Sequence, residues 1–401
     1  MIPKRLSLRI TAAAETILRS GHPWLFADSI HESNRAGQLG ELAVIYDRKD
    51  KFLAVGLFDP DSPIRVRILH AGKPQTIDAA WWQMRLEKPL AIRRDLFDAQ
   101  TTGYRLIHGE NDGWPALVLD KYDLTLVLKI YSAAWLSRLD ETVSLFKEKI
   151  LCERIVLRLS RNIQSIAEKE FQRRDGQVLF GSTPDGPMIF SENGVRFEAD
   201  VLRGQKTGFF LDQRESRAEV EELSRGKKAL NAFSFSGGFS IYAARGGAVS
   251  VTDLDISAHA LESAKRNFAL NQDFPGVANC RHEIVQADCF DWLEKTSEKF
   301  DLIVLDPPSL AKRADEREGA IRAYERLNSL GIARLSRDGI LVAGSCSAHI
   351  SAPEFFDAVR RAAVKSGRKF TELKTLRHPP DHPATFKEAE YLKVIYLKFQ
   401  T

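Results

Sequence analysis

Two short motifs carry the residue types that could do chemistry: Asp306-Pro307-Pro308-Ser309 and Gly344-Ser345-Cys346-Ser347. Each closes an apolar, β-branched run, Phe300–Leu305 before the first and Gly339–Ala343 before the second. Short runs of that kind read as buried parallel strands. The stretch between them, Glu316 to Arg337, is helical in composition and spacing. Two strand ends joined by a crossover helix bring a carboxylate and a thiol to one rim of a sheet. Doubly wound α/β proteins place ligands at that rim, outside the carboxyl ends of their strands. A thiol there can act as a nucleophile, and an acid beside it can hold a flat, polar substrate. The plainer alternative makes Cys346 a small buried residue at a strand end, the commoner fate of a lone cysteine.

A second group of residues precedes these. Ala229–Ala232 reads as a strand, followed by Phe233-Ser234-Phe235-Ser236-Gly237-Gly238 and a helix predicted from Ile241 to Arg245. Glycines at such a turn let the backbone approach a ligand closely, and the helix N-terminus favours polar groups. The next predicted strand ends in Asp255, placed to hold ribose hydroxyls, and a third, Glu283 to Asp288, ends in an acid placed to reach an adenine. The glycine spacing is not GxGxxG, which disfavours a dinucleotide and with it a dehydrogenase. A glycine turn with acids after the next two strands suits S-adenosylmethionine, a nucleoside cofactor without a pyrophosphate. Taken singly, these features also fit a packing turn and a helix cap.

The elements that must position these residues are legible from composition. A chain of 401 residues with 44% hydrophobic and 9% aromatic content is expected to fold as two or three domains. The net charge of +4 permits nucleic-acid binding through a local patch without demanding it. No apolar run is long enough to span a bilayer, and the basic stretch Met1–Arg9 has no following apolar block of a leader. Cys152, Cys280, Cys289 and Cys346 are scattered without metal-ligand spacing, so a reducing cytoplasm and no metal site are expected. Residues 1–75 read as a small β-rich domain, with Arg65 and Arg67 on one strand face. Residues 76–186 read as an α+β connector, and 187–401 as alternating strands and helices, hence a mostly parallel sheet covered on both faces.

Together with Gly204-Gln205-Lys206-Thr207-Gly208-Phe209-Phe210-Leu211-Asp212-Gln213-Arg214, these motifs resemble the PUA-containing class I methyltransferases that make 5-methylcytosine in 23S rRNA. The resemblance spans the chain, from Gly21-His22-Pro23-Trp24 through His108–Gly113 to Asp381-His382-Pro383 and Glu390-Tyr391-Leu392-Lys393. It implies an α/β protein: a C-terminal Rossmann-like methyltransferase domain, an N-terminal PUA-like RNA-binding domain and the α+β connector between. It further implies a cytoplasmic enzyme using S-adenosylmethionine, with 23S rRNA as partner and a homodimer as one assembly. Phe210, Asp212, Gln213 and Arg214 would lie at the cofactor or its supporting shell, beside Phe233, Ser236 and Gly237. Asp255 would hold the ribose, Asp288 the adenine, and Asp306 would face both the methionine end and the target base.

Carbon 5 of cytosine is too weak a nucleophile to take a methyl group unaided. A thiolate adding to carbon 6 activates it, which is the role the resemblance implies for Cys346. The thiol then needs a lowered pKa or a nearby base, and His349 is the nearest candidate in sequence. Other RNA 5-methylcytosine enzymes carry a second cysteine where Ser309 stands, so the group that removes the carbon-5 proton is unassigned, with water or His349 as candidates. Methylation of a base nitrogen, such as guanine, and a non-catalytic RNA-binding factor are the competing readings.

Overall fold

The computed structural model describes residues 5–311 and 313–400. The first four residues of the stretch Met1–Arg9, read above as lacking a leader, lie outside the described residues. The chain divides into two compact units, Met1–Phe190 with Ala199–Phe209, and Ser191–Glu198 with Phe210–Thr401. Among the described residues no helix is long and apolar enough to cross a membrane.

The first unit holds two sheets. The six-stranded sheet is built from Leu6–Ile10, Trp24–Phe26, Ile30–Ser33, Leu42–Tyr46, Phe52–Phe58 and Ile64–Ala71, and closes over Leu6, Leu8, Leu25, Ile45 and Val66. The five-stranded sheet, from Gly103–His108 to Val178–Phe180, packs against helices Ala79–Arg94 and Leu139–Lys149 around Trp114, Trp135 and Phe146. Arg67 is paired within the unit: its Nη1 donates to Glu110 Oε1 at 2.7 Å, and Trp24 Nε1 donates to the same oxygen at 2.8 Å. Arg65 donates to the Asp59 carbonyl. In the His108–Gly113 segment, Asp112 takes a bidentate bond from buried Arg93 at 2.7 and 2.9 Å. These acids neutralise a part-buried arginine, Arg67, and a buried one, Arg93.

The second unit is a seven-stranded sheet of β1 (Lys228–Ala232), β2 (Ser250–Asp255), β3 (Arg281–Gln286), β4 (Phe300–Leu305), β5 (Leu335–Ser345), β6 (Phe370–Leu376) and β7 (Lys393–Phe399), in the order β3-β2-β1-β4-β5-β7-β6. Only β7 runs against its neighbours β5 and β6. Helices α1 (Arg214–Glu222), α2 (Gly238–Arg245), α3 (Ala258–Leu270), α4 (Cys289–Lys295), α5 (Arg317–Arg334) and α6 (Ala352–Lys365) connect or flank the strands. Apolar side chains of β1, β4 and β5 are buried by α5 and α6, including Leu230, Ile303, Leu305 and Leu341 against Leu327, Phe355 and Val359. Leu302 and Val304 on the opposite face of β4 are buried as well, and cover on both faces explains why β4 reads as an unbroken apolar run instead of an alternating one.

Strand order reverses beside β1, where β2 lies on one side and β4 on the other, the crevice position for ligands in open α/β sheets. Two boundaries differ from expectation. Helix α2 starts at Gly238 rather than Ile241, because Gly237 takes φ +76° and turns the chain into the helix at once. Strand β3 ends at Gln286 rather than Asp288, because Asp288 caps α4 by accepting from the Asp291 amide at 3.0 Å.

Candidate active site

Registry between β4 and β5 assembles the two motifs. Leu305 pairs with Ala343, so Asp306 leaves β4 beside Gly344, which β5 still carries against β7. A Cβ built on Gly344 would lie 2.6 Å from Asp306 Oδ1, so only glycine lets the two strand ends approach this closely. Asp306 is half-buried, and its Oδ2 accepts from Gln213 Nε2 at 2.8 Å. Gly344→Ala is therefore expected to push the Asp306 carboxylate off Gln213 and lower turnover by about tenfold to a hundredfold, since misplacing a site group by about 1 Å costs that much. Steady-state kinetics beside a thermal melt would show a rate loss out of proportion to any loss of stability.

Ser345 ends β5, and Cys346 follows it, half-buried and in no disulfide. Ser345 Oγ donates to Tyr324 Oη at 2.9 Å. Burial raises the Tyr324 phenol, and the nearby Cys346 and Asp306 raise it further, so α5 brings a neutral hydroxyl to both motifs. Ser309 and Ser347 donate to one acceptor, the Ala311 carbonyl, at 2.7 and 3.2 Å. They tie the loop after β4 to the loop after β5. Lys393, which opens β7 opposite Ser345, donates to the Ser347 carbonyl and, at 2.5 Å, to the Ile350 carbonyl. His349 is exposed. Burial raises the other thiols, Cys152 modestly, Cys280 to about 11 and Cys289 to about 12, which favours their uncharged form, and none of the three lies in the loop after β5.

On the cofactor side, the glycine turn is strained. Phe233 and Phe235 hold φ values of +61° and +47°, a region costly for aromatic side chains. Asp255 holds this turn: its Oδ2 accepts from the Phe235 amide at 3.0 Å and its Oδ1 from the Ser257 amide at 2.8 Å. Ser236 is buried, with its carbonyl held by Asn267 at 2.9 Å. A Cβ on Gly237 would sit 3.0 Å from Ala264 Cβ and 3.1 Å from Asp253 Oδ2, so a bare backbone is required here as well. The Phe210 ring meets Phe235 edge-on, with centroids 5.0 Å apart.

Leu211–Gln213 is a single 3-10 turn leading into α1. It buries Asp212, Gln213 and Arg214 together. Arg214 pairs with Asp381 through bonds of 2.8 and 3.3 Å, and Asp212 Oδ2 accepts from Tyr391 Oη at 2.8 Å. The structure thus gathers Phe210, Gln213, Phe233, Ser236, Gly237, Asp255, Asp306 and Cys346 around the carboxyl edge of β1, β2, β4 and β5. Asp212 and Arg214 lie one layer behind, and Asp288 is exposed at the start of α4. Sequence reasoning missed Tyr324 and Lys393 and assigned no role to Asp381. Beyond its place in the Glu390–Lys393 motif, the signal for Lys393 is a charged residue opening an apolar run, Val394–Leu397.

His378 lies behind the site and accepts from the Tyr391 and Leu392 amides at its Nε2, both at 3.1 Å. That lone pair requires a neutral ring, and burial, followed by the charge of His382, pulls His378 from 6.5 to about 4. A base with a depressed folded pKa binds fewer protons folded than unfolded, so its stabilisation is complete above pH 6.5 and falls as pH drops toward 4. Urea unfolding is expected to show a loss of about 2–3 kcal/mol across that interval, and His378→Gln is expected to flatten it.

A sheet ordered β3-β2-β1-β4-β5-β7-β6, with its last-formed strand reversed and a glycine turn after β1, is the class I methyltransferase architecture. A family model described as S-adenosylmethionine-dependent methyltransferase matches residues 169–398, and a PUA-like domain model matches residues 8–71. A ribosomal RNA large subunit methyltransferase of Deinococcus radiodurans is 54% identical over 402 residues, covering 98% of this chain and 97% of that protein. Ribosomal RNA large subunit methyltransferase I of Pseudoalteromonas translucida is 33% identical, covering 97% and 98%. A crystal structure of a protein assigned as a methyltransferase, complexed with SAH, superposes with a TM-score of 0.82 at 23% identity, covering 98% of this chain and 99% of that one. The chain belongs to the PUA-containing S-adenosylmethionine-dependent methyltransferases, and its cofactor is S-adenosylmethionine.

The residues present fit that cofactor. Gln213 Oε1 and Ser234 Oγ are buried with no hydrogen-bond partner among the described residues. Each lies in a segment bordering the glycine turn or Asp306, where a polar ligand would satisfy it.

Proposed function

We propose that the protein makes 5-methylcytosine in large-subunit (23S) ribosomal RNA through a transient bond between Cys346 and the target base. One observation carries this reading: the Leu305–Ala343 register, which brings the strand end carrying Asp306 beside Gly344, two residues before the half-buried Cys346, at the ligand edge of the sheet. A methyltransferase acting on a base nitrogen has no use for a thiol at that place. The printed names of the relatives support ribosomal RNA as substrate. We read residues 1–75 as the RNA-binding PUA-like domain, 76–186 as the connector and 187–401 as the catalytic domain, working in the cytoplasm.

The glycine turn, Asp255, Asp288 and Gln213 would hold S-adenosylmethionine, which when bound supplies the methyl group. The target cytosine must leave its stack for its faces to be reached. Asp306 holds its polar edge. The Cys346 thiolate forms a bond to carbon 6, and the electron pair of the carbon 5–carbon 6 double bond makes carbon 5 nucleophilic. As carbon 5 takes the methyl group the methyl–sulfur bond of the donor breaks, leaving a neutral thioether, and the proton on carbon 5 then passes to water. The freed pair restores the double bond and expels the thiolate. Ser309, tied to the Ala311 carbonyl, leaves release to this elimination without a second thiol.

The test uses ribosomal RNA from cells lacking this gene, incubated with the protein and tritiated S-adenosylmethionine. Label is expected in 5-methylcytidine after digestion and mass spectrometry. Label confined to a nitrogen-methylated nucleoside would overturn the cytosine reading, and absence of any transfer would favour a binding role.

A further inference from the structure

We infer that Lys393 is a positioning residue that acts through Cys346: its ammonium group holds the loop carrying the thiol and favours the thiolate over the thiol. This deepens the cytosine reading and rests on it for its catalytic purpose. The geometry begins with β7. Lys393 is its first residue and pairs across the sheet with Ser345, so its side chain emerges beside Cys346. It is 2% exposed, yet it makes no ion pair with a carboxylate among the described residues. Its Nζ instead bonds the Ser347 and Ile350 carbonyls, on the far side of Cys346 in the same loop.

A buried ammonium satisfied only by neutral carbonyls is costly unless an anion forms nearby. The surrounding charges identify which anion. From the loop after β6, Arg377 opposes the ammonium; Glu390, half-exposed before β7, favours it weakly, and neutral His378 adds no charge. Tyr324, on α5, lies near both Cys346 and Asp306, the residue that follows β4. Burial pulls Lys393 down to about 8, and Cys346 is the largest influence raising it again. The coupling must be reciprocal: whatever the thiolate does for the ammonium, the ammonium does for the thiolate. This arrangement supplies what exposed His349 lacks, a cation fixed beside the nucleophile. Lys393 also lines a cleft of about 330 Å³ with His378, Pro379, Pro383 and Leu392, so its charge is not sealed inside the core.

The test reads the thiol itself and needs neither RNA nor cofactor. Full-length wild type, Lys393→Met, Lys393→Gln and Lys393→Arg are alkylated with iodoacetamide across pH 5–10, and modification of Cys346 is followed by peptide mass spectrometry. Removing a cation within about 4–6 Å should raise the midpoint of alkylation by about one pH unit or more in Met and Gln variants, with Arg near wild type. Gln keeps a donor for the loop carbonyls, so a wild-type midpoint in Gln with a raised one in Met would assign the effect to loop hydrogen bonds and overturn the proposal. An unchanged midpoint in both would overturn it as well. Should the variants fail to fold by circular dichroism, isotope-labelled lysine NMR of wild type and Cys346→Ala decides: loss of the thiol should lower the Lys393 midpoint, and an unshifted midpoint refutes the coupling. A raised midpoint without 5-methylcytidine product would leave the Lys393–Cys346 pair standing and reject the cytosine reading alone.

Discussion

Cys346→Ala protein is expected to bind S-adenosylmethionine as wild type does and to lose 5-methylcytidine formation by a factor on the order of 10⁴ or more, the scale seen when a covalent nucleophile is removed. The cofactor residues gather on the far side of Asp306, at the glycine turn and the Leu211–Gln213 turn, so binding measured by calorimetry separates the two functions. RNA carrying 5-fluorocytidine makes the prediction sharper. Fluorine at carbon 5 cannot leave as a proton, so elimination stalls and the bond to Cys346 persists. Wild type should migrate with the RNA on a denaturing gel, and Cys346→Ala should not. A fully active Cys346→Ala enzyme would return this cysteine to the core and leave nitrogen methylation as the reading to pursue.

The largest stability effect is expected at Arg214 and Asp381. Both are buried, at 3% and 0% exposure, and their pairing is bidentate. Burial by itself would raise the Asp381 carboxyl, but His382 and Arg214 outweigh it and hold the group well below the usual carboxylate range. Arg214→Met would leave that charge to His382 alone, 3.1 Å away, and breaking one side of a buried pair costs about 3–5 kcal/mol. Because the folded carboxyl is depressed, the pair's contribution is complete at neutral pH and disappears only as pH falls through the folded value. Urea unfolding at pH 7 would measure the loss. Arg214→Met combined with Asp381→Leu should recover most of it, since the two effects share one interaction. An Arg214→Met protein as stable as wild type would mean that Asp381 is neutralised by another group.

Much of the catalytic unit was legible because its signals are local. β-branched runs ending in Asp255, Asp306 and Cys346 marked strands and the edge they share. The glycine turn after β1 is confirmed by positive φ at Gly237, a conformation that glycine adopts without strain. Local reading failed where a residue serves a neighbour distant in sequence. Asp288 read as a strand end but caps α4, a difference of two residues in where β3 stops. Arg67 read only as one of two arginines on a strand face, because its alternating strand shows nothing of Glu110, 43 positions away, which neutralises it.

By itself the sequence determined the class of fold, the cofactor type and the two motifs that could carry chemistry, since each rests on short-range patterns of burial, turn geometry and residue type. Tertiary structure alone decided the company those motifs keep. The β4–β5 register sets Gly344 against Asp306, α5 delivers Tyr324, and the reversed β7 places Lys393 beside Cys346. The physical reason is range: a turn or a strand is specified by its own residues. The electrostatics of a thiol depend on every charge within a few ångströms, whichever part of the chain supplies it.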